Sequence, residues 1–420
     1  DLHLCDRRQR QMCIRDSAYT SYKSSLNDRH NFSVMLGVQY EGEKSEKIEG
    51  RKNDILNDNV PSFSTSTGNI HSLNDELTHI SRFGSFFRFG YNYKEKYLLE
   101  VNGRYDGSSV LATGHRWGFF PSVSLGWNVA REKFFENLTD KISNFKIRGS
   151  WGSLGNQNIN PYQDLALLGI KSNLAWILNG SRPIYVTSPN LVNTLLTWET
   201  AETLDFGVDL SLLNNRLNIT GDWYQRNTRD RLGPAEALPA VIGADIPKKN
   251  NSELRTNGWE LAISWRDRIN EDFSYSVSAM IYDYYSTVTK YNNPTNILST
   301  DYTGKRVGEI WGYTTEGLIQ TQEEADQIMQ SGYQKFFHSV WNTGDVKYAD
   351  LNNDGVVNNG KNTLEDHGDL SVIGNTTPRY QFSFTLGAEY KNFDFSMMWQ
   401  GDATVSYTHL RAHETLMNLV

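Results

Sequence analysis

The side chains best placed to do chemistry in this sequence lie in DLNNDG, residues 350–355. Asp350, Asn352 and Asp354 stand at alternate positions, and Gly355 follows. Short oxygen side chains spaced in this way converge on one cation, and the glycine permits the sharp turn that such a loop makes. The carbonyl of Val356 would be the next ligand. A complete calcium loop ends on a bidentate Glu, but the corresponding residue here is Lys361. Asp366 or Asp369 is then left to close the shell. A site built only of oxygens takes a hard ion, so Ca²⁺ is expected before Zn²⁺. The same residues also read as a metal-free loop of Asx turns.

Catalysis has no comparable signal. The sequence holds no G-x-S-x-G, no H-E-x-x-H and no P-loop. His30, His71, His79, His115, His338 and His367 are isolated from one another and read as solvated loop histidines. Glu323 and Glu324 fall in TQEEADQIMQSGY, where a short amphipathic helix uses them for solvation. Trp176, Tyr185, Trp311, Tyr313 and Trp341 lie between the regular segments, either to stack on a ligand or to anchor the loops. No enzymatic activity is expected.

These residues need a scaffold, and the composition says which kind. Among 420 residues there are 22 Tyr, 19 Phe, 11 Trp and 33 Gly, but 10 Pro. The formal net charge is −8 and the basic residues are scattered, which argues against a nucleic-acid partner. Mean hydropathy is −0.56, and no apolar run reaches the roughly 18 residues of a membrane helix. A transmembrane β-barrel fits this average, because its strands alternate lipid-facing and lumen-facing residues. Both cysteines, Cys5 and Cys13, lie near the N-terminus, and a cysteine-free body suits an oxidising compartment. Residues 1–17 and 405–420 share no pattern with the body and read as non-native, adapter-like sequence. With no signal peptide and no initiating Met, the chain reads as a fragment.

Period-2 alternation recurs through the body. Phe83, Phe87, Phe89, Tyr91 and Tyr93 oppose Arg82, Gly84, Arg88, Gly90 and Asn92. Similar alternation marks Phe32–Tyr40, Tyr97–Tyr105, Val123–Val129, Leu204–Leu212, Leu217–Trp223, Trp259–Trp265, Phe273–Ile281, Phe382–Tyr390 and Phe393–Trp399. About eleven segments of roughly 8–12 residues result, near the length of about 9–11 that a tilted membrane strand needs. Short links at 94–95, 213–215, 267–271 and 391–392 alternate with long ones at 41–81, 107–120, 153–201, 227–256 and 283–378. A medium link at 132–144 takes the place of one short turn. An up-and-down outer-membrane barrel has short periplasmic turns and longer extracellular loops, so 31–40 would run outward and 82–93 inward.

Several stretches carry a closer likeness: FGYNYKEKYLLEVNGRYDGSS (89–109), RWGFFPSVSLGWNVAREKFF (116–135), FKIRGSWGSLGNQNI (145–159), GEIWGYTTEGLIQT (308–321), GDVKYADLNNDGVVN (344–358) and GDLSVIGNTTPRYQFSFTLGAEYKNFDFSMMWQG (368–401). On these the chain resembles the SusC/RagA family of TonB-linked outer-membrane transporters over residues 18–404. The resemblance implies a multi-pass barrel of the plugged, 22-stranded class, of which this chain would be the C-terminal part without plug or energy-coupling segment. It favours Asp369 as the residue that completes the cation shell. It implies TonB-dependent nutrient import, of oligosaccharide or peptide, across the outer membrane. The implied partners are outer-membrane lipid, a SusD-like surface lipoprotein over the long loops, and the TonB system. The other reading is a secreted or surface β-rich binding or adhesion module that transports nothing.

Overall fold

A computed structural model describes residues 3–403, apart from 55, 57–61, 139–140, 158, 172–175, 188, 190 and 237–245. Residues 405–420, set apart in the sequence reading, lie outside the described residues. Twelve strands form one antiparallel sheet in which each strand pairs with its neighbours in the chain. In order they are β1 (His3–Leu26), β2 (His30–Asn53), β3 (Ile70–Tyr93), β4 (Tyr97–Ser108), β5 (Trp117–Asn128) and β6 (Ile142–Asn156). Then follow β7 (Glu199–Leu212), β8 (Leu217–Gly233), β9 (Lys249–Asn270), β10 (Phe273–Lys290), β11 (Gln381–Tyr390) and β12 (Phe393–Asp402).

The register puts the expected faces together. Val34 pairs with Phe89 and Phe89 with Val101, while Ser33 pairs with Gly90 and Gly90 with Glu100. One face is therefore aliphatic and aromatic across the sheet, and the other is polar. On β3 the apolar face is bounded by Phe83 at the long-loop end and Tyr93 at the short-turn end. Ten residue steps at about 3.4 Å, tilted by about 40°, rise about 26 Å, the height of a barrel's apolar band. Aromatic clusters mark both edges of that band. At one edge Tyr105 stacks on Trp117 at 5.1 Å. At the other, Tyr93 and Tyr97 stack at 6.3 Å, and Glu132 accepts hydrogen bonds from the Tyr97 hydroxyl at 2.7 Å and Lys96 at 3.1 Å.

The short links are tight turns. Lys94 and Glu95 have φ of 50° and 55°, and Leu213, Asn214 and Asn215 have φ of 54°, 56° and 64°. Left-handed residues at both central positions match the twist of paired strands. The medium link contains two 3-10 turns, Val129–Arg131 and Lys133–Leu138.

The expected long link at 41–81 is mostly strand. β2 and β3 stay paired from Tyr40 opposite Phe83 up to Lys52 opposite Ile70, leaving 54–69 as the connection. Beyond the apolar band neither face has to be apolar, so the ladder continues through charged residues that carry no alternation. β8 to β10 likewise run past their expected ends, to Gly233, from Lys249 and to Lys290. Residues 3–17 belong to β1, whose Asp16, Ala18, Thr20, Tyr22 and Ser24 share the apolar face of β2 through register alone. That mixed composition is why no strand was readable there.

The lumen wall and the long loop

Charged side chains on the polar face have no lipid to meet, and they pair with one another. Arg148 on β6 lies opposite Gly207 on β7, which in turn lies opposite Asp222 on β8. Because Gly207 has no side chain, the Arg148 guanidinium passes over it to reach Asp222 at 2.9 Å, and it also binds Asp209 at 2.8 and 3.1 Å. Along β4, Arg104 grips Asp106 through two bonds of 3.1 and 2.9 Å, and Asn102 links Arg88 and Glu100, each at 2.9 Å. Near the long-loop end Arg82 donates to Glu41 at 2.9 Å. A cavity of about 860 Å³ opens on this face, with Lys23, Ser33, Glu100, Arg148 and Asp205 in its lining. A wall like this offers fixed donors and acceptors to a hydrated polar guest.

The longest connection, 291–380, folds into a small body of its own. Two antiparallel pairs frame it: Glu309–Tyr313 with Leu370–Asn375, and Thr315–Leu318 with Val346–Tyr348. Between them lies α1 (Gln322–Ser331). Its N-cap Thr321 accepts a hydrogen bond from the Glu324 N–H at 3.2 Å, and Gly332 closes it with a φ of 73°. Ala325, Ile328, Ile319 and Trp341 are buried together, with Tyr333, Phe337 and Tyr348 packed around them. Glu324 is held below the usual carboxylate range, first by the Gln320 backbone N–H, with Lys347 helping against partial desolvation. Glu323 and Glu324 both lie in the first turn of α1, where Glu324 also accepts from the Gln320 backbone N–H at 3.0 Å, a role at the helix start beyond the solvation read from the sequence. Gln334 is fully buried. Its amide donates to the Val346 carbonyl at 3.2 Å and accepts from the Tyr348 N–H at 2.6 Å, standing in for a missing strand neighbour.

Three of the loop aromatics anchor this body. Trp341 is in its core, Tyr313 meets Phe337 edge-on at 4.7 Å, and the Trp311 indole donates to Glu309 at 2.8 Å. Tyr185 lies in a short pair, Ile170–Lys171 with Tyr185–Val186, while Trp176 is 76% exposed. The histidines are less free than expected. His30 bonds the Tyr91 hydroxyl at 2.9 Å, and His338 and His367 pack on Trp341 and Trp311.

Four of the five expected cation ligands share one turn. Asp350 accepts from the N–H groups of Asp354 at 3.3 Å and Gly355 at 2.8 Å, Asn352 accepts from Asp354 at 2.9 Å, and Asp354 accepts from Val356 at 2.8 Å. Asn353 and Gly355 take the left-handed conformation at φ 59° and 86°. Asp369 is fully buried and accepts from the N–H groups of Leu351 at 2.7 Å, Asn352 at 3.4 Å and Asn358 at 2.8 Å. Among the described residues no three Asp, Glu, His or Cys side chains gather as a metal cluster. What the turn brings together is a mixed set of oxygens, already bonded within the loop: the Asn352 amide also donates to Asp354 Oδ2 at 3.0 Å, and the Val356 carbonyl accepts from the Asn358 amide at 3.2 Å. The Asp350, Asn352 and Asp354 oxygens each spend one bond on the turn and retain a lone pair, and Val356 adds a carbonyl.

The family profile described as TonB dependent receptor-like, beta-barrel matches residues 7–415. This chain belongs to that family. Among curated relatives, TonB-dependent receptor P26 of Formosa agariphila is 28% identical over 415 residues, covering 94% of this chain and 39% of that protein. TonB-dependent receptor SusC of Bacteroides thetaiotaomicron is 28% identical over 322 residues, covering 76% of this chain and 30% of that protein. The chain thus spans well under half the length of these relatives. In fold it is similar to the RagAB peptide importer in the 'open-open' state, with a TM-score of 0.76 and 19% identity over 95% of this chain and 41% of that one. The twelve strands are therefore wall of an outer-membrane β-barrel, with the apolar face toward lipid and the polar face toward the lumen.

Proposed function

We propose that this chain forms the barrel wall and external loops of a SusC-like, TonB-dependent importer of oligosaccharides or peptides. The observation that carries the reading is the ion-paired, cavity-bearing polar face of a barrel wall in a chain of this family. On this reading a SusD-like surface lipoprotein caps the long loops, and energy comes through TonB from a part of the protein outside this chain. Uptake of labelled oligosaccharides and peptides by whole cells tests it. Deleting the gene for the protein should abolish uptake of one of the two classes, and a protonophore should do the same. Uptake unchanged by both treatments would overturn the reading.

We also propose that Asp350, Asn352, Asp354 and the Val356 carbonyl hold a structural Ca²⁺, with the buried Asp369 carboxylate fixing the loop and adding charge beside it. Ordering a long loop costs roughly 1–2 kcal/mol per residue, and an ion would offset part of that cost. Calorimetry with Ca²⁺ and with EGTA checks the proposal. Binding should appear at or below millimolar Ca²⁺ and vanish in Asp354→Ala. No binding heat in the parent protein would leave the Asx-turn loop as the explanation.

A further inference from the structure

The lipid-facing side of β8 to β10 changes character abruptly at the long-loop end. Its last belt aromatics are Trp223, stacked on Phe206 at 6.2 Å, and Trp259, which lies opposite Trp223. Beyond them, on the same face, the sequence turns to Asn227, Arg255, Tyr285 and Thr287. Register sets these in order: Asn227 is opposite Arg255, Arg255 is opposite Thr287, and Thr287 bridges to Arg306 on the returning chain. Neighbouring positions in such a row are about 4.8 Å apart, so the two arginines stand about 10 Å apart with a hydroxyl between them.

The guanidinium contacts of both arginines among the described residues are with neutral groups. Arg255 donates through Nε to the Asn227 amide oxygen at 2.9 Å, and the Arg306 guanidinium lies 5.0 Å over the Tyr285 ring. Three nearby carboxylates are paired elsewhere, Asp283 with Arg379, Glu253 with Lys290 and Glu202 with Arg229, while Glu309 accepts hydrogen bonds from Tyr302, Trp311 and the Arg306 backbone N–H and from neither guanidinium. Among the described residues neither guanidinium has an ion-pair partner. Their height is also fixed. On β10 the apolar band begins at Phe273, and ten steps bring it to Asp283. Tyr285 and Thr287 then stand about 5–10 Å further along, in the layer of lipid headgroups. Outer-membrane barrels carry their long loops outside and their short turns in the periplasm, and in that orientation the layer is the outer leaflet.

We propose that Arg255 and Arg306, with Thr287 between them, bind the phosphate of an outer-leaflet lipid headgroup and so fix the height and rotation of this wall in the membrane. Two guanidinium groups without an ion-pair partner among the described residues, on a lipid-facing surface, match a phosphate in charge and in hydrogen-bond geometry. The stacked Tyr285 holds one of them extended.

Native mass spectrometry of the detergent-solubilised whole protein that contains this chain tests this with diphosphorylated lipid A, the same lipid with its phosphates removed, and inorganic phosphate. An arginine near a charged membrane surface contributes about fivefold in affinity. Arg255→Gln with Arg306→Gln should therefore weaken the phosphorylated lipid about thirtyfold and leave the dephosphorylated lipid unchanged. Arg226→Gln, on the opposite face of β8, should change neither. Equal binding of both lipids to the native protein, or an equal fall for both in the double variant, would overturn the proposal. Displacement of the phosphorylated lipid by millimolar inorganic phosphate would overturn the lipid as the source of the phosphate.

Discussion

Gly207 is small so that Arg148 can be long. A Cβ added at Gly207 would lie 2.2 Å from Asp222 Oδ1 and 2.6 Å from Arg148 Cζ, so one methyl group breaks a bridge that spans three strands. Gly207→Ala should cost about 1–3 kcal/mol, read as a lower urea midpoint for unfolding from detergent. Gly221→Ala is the matched control, because its nearest neighbour would be 3.9 Å away. It should change the midpoint little. Tyr302 offers a pH-dependent test. Burial, with a hydrogen bond to Glu309, pushes its hydroxyl up to about 12 from an ordinary 10.0. The folded state therefore keeps this proton when the unfolded state has lost it. Its contribution is complete below pH 10 and is lost as pH rises from about 10 to about 12. Thermal melts of the long loop, followed by tryptophan fluorescence, should show a fall in stability over that window, and Tyr302→Phe should reduce it. At this scale the sequence displayed DLNNDG, because its residues are adjacent. It could not display the partners of Arg148, which come from two other strands and depend on register.

Strands were readable where the lipid-facing residues are consistently aliphatic or aromatic, because there the bilayer favours alternation. They were unreadable where the ladder continues into water, as in β2 beyond Tyr40, or where one face is mixed, as in β1. The pairing of Glu309–Tyr313 with Leu370–Asn375 was also hidden, since its two segments are far apart in the chain and each is too short to show a period. The alternation itself can be tested on β9. Ile263 lies between Ile219 and Ala279 on the lipid face, and Ser264 lies between Asn218 and Ser278 on the lumen face. Ile263→Lys should destabilise the folded barrel by about 2–4 kcal/mol in lipid vesicles, because the charge is placed in hydrocarbon. Ser264→Lys, one residue along, should cost much less. Equal costs would mean that the assignment of faces is wrong.

For the whole molecule, the lengths of the connections predict which end of the sheet meets the outside. Twelve strands with short turns at one end and folded loops at the other have only two orientations in a membrane. A connection as large as 291–380, with its own helix and core, is expected outside, and turns such as 94–96 and 391–392 are expected in the periplasm. Single cysteines can report this in cells expressing the whole protein, once the native Cys5 and Cys13 are replaced by Ser. Cys13 is exposed on β1 and would otherwise react. Gln330, on the exposed side of α1, and Asn214 and Lys391, at two of the tight turns, are all solvent-accessible positions. Gln330→Cys should react with a membrane-impermeant maleimide in intact cells. Asn214→Cys and Lys391→Cys should react only after the outer membrane is permeabilised. The reverse pattern would invert the barrel, place the 291–380 body in the periplasm and remove the surface on which a capping lipoprotein could sit.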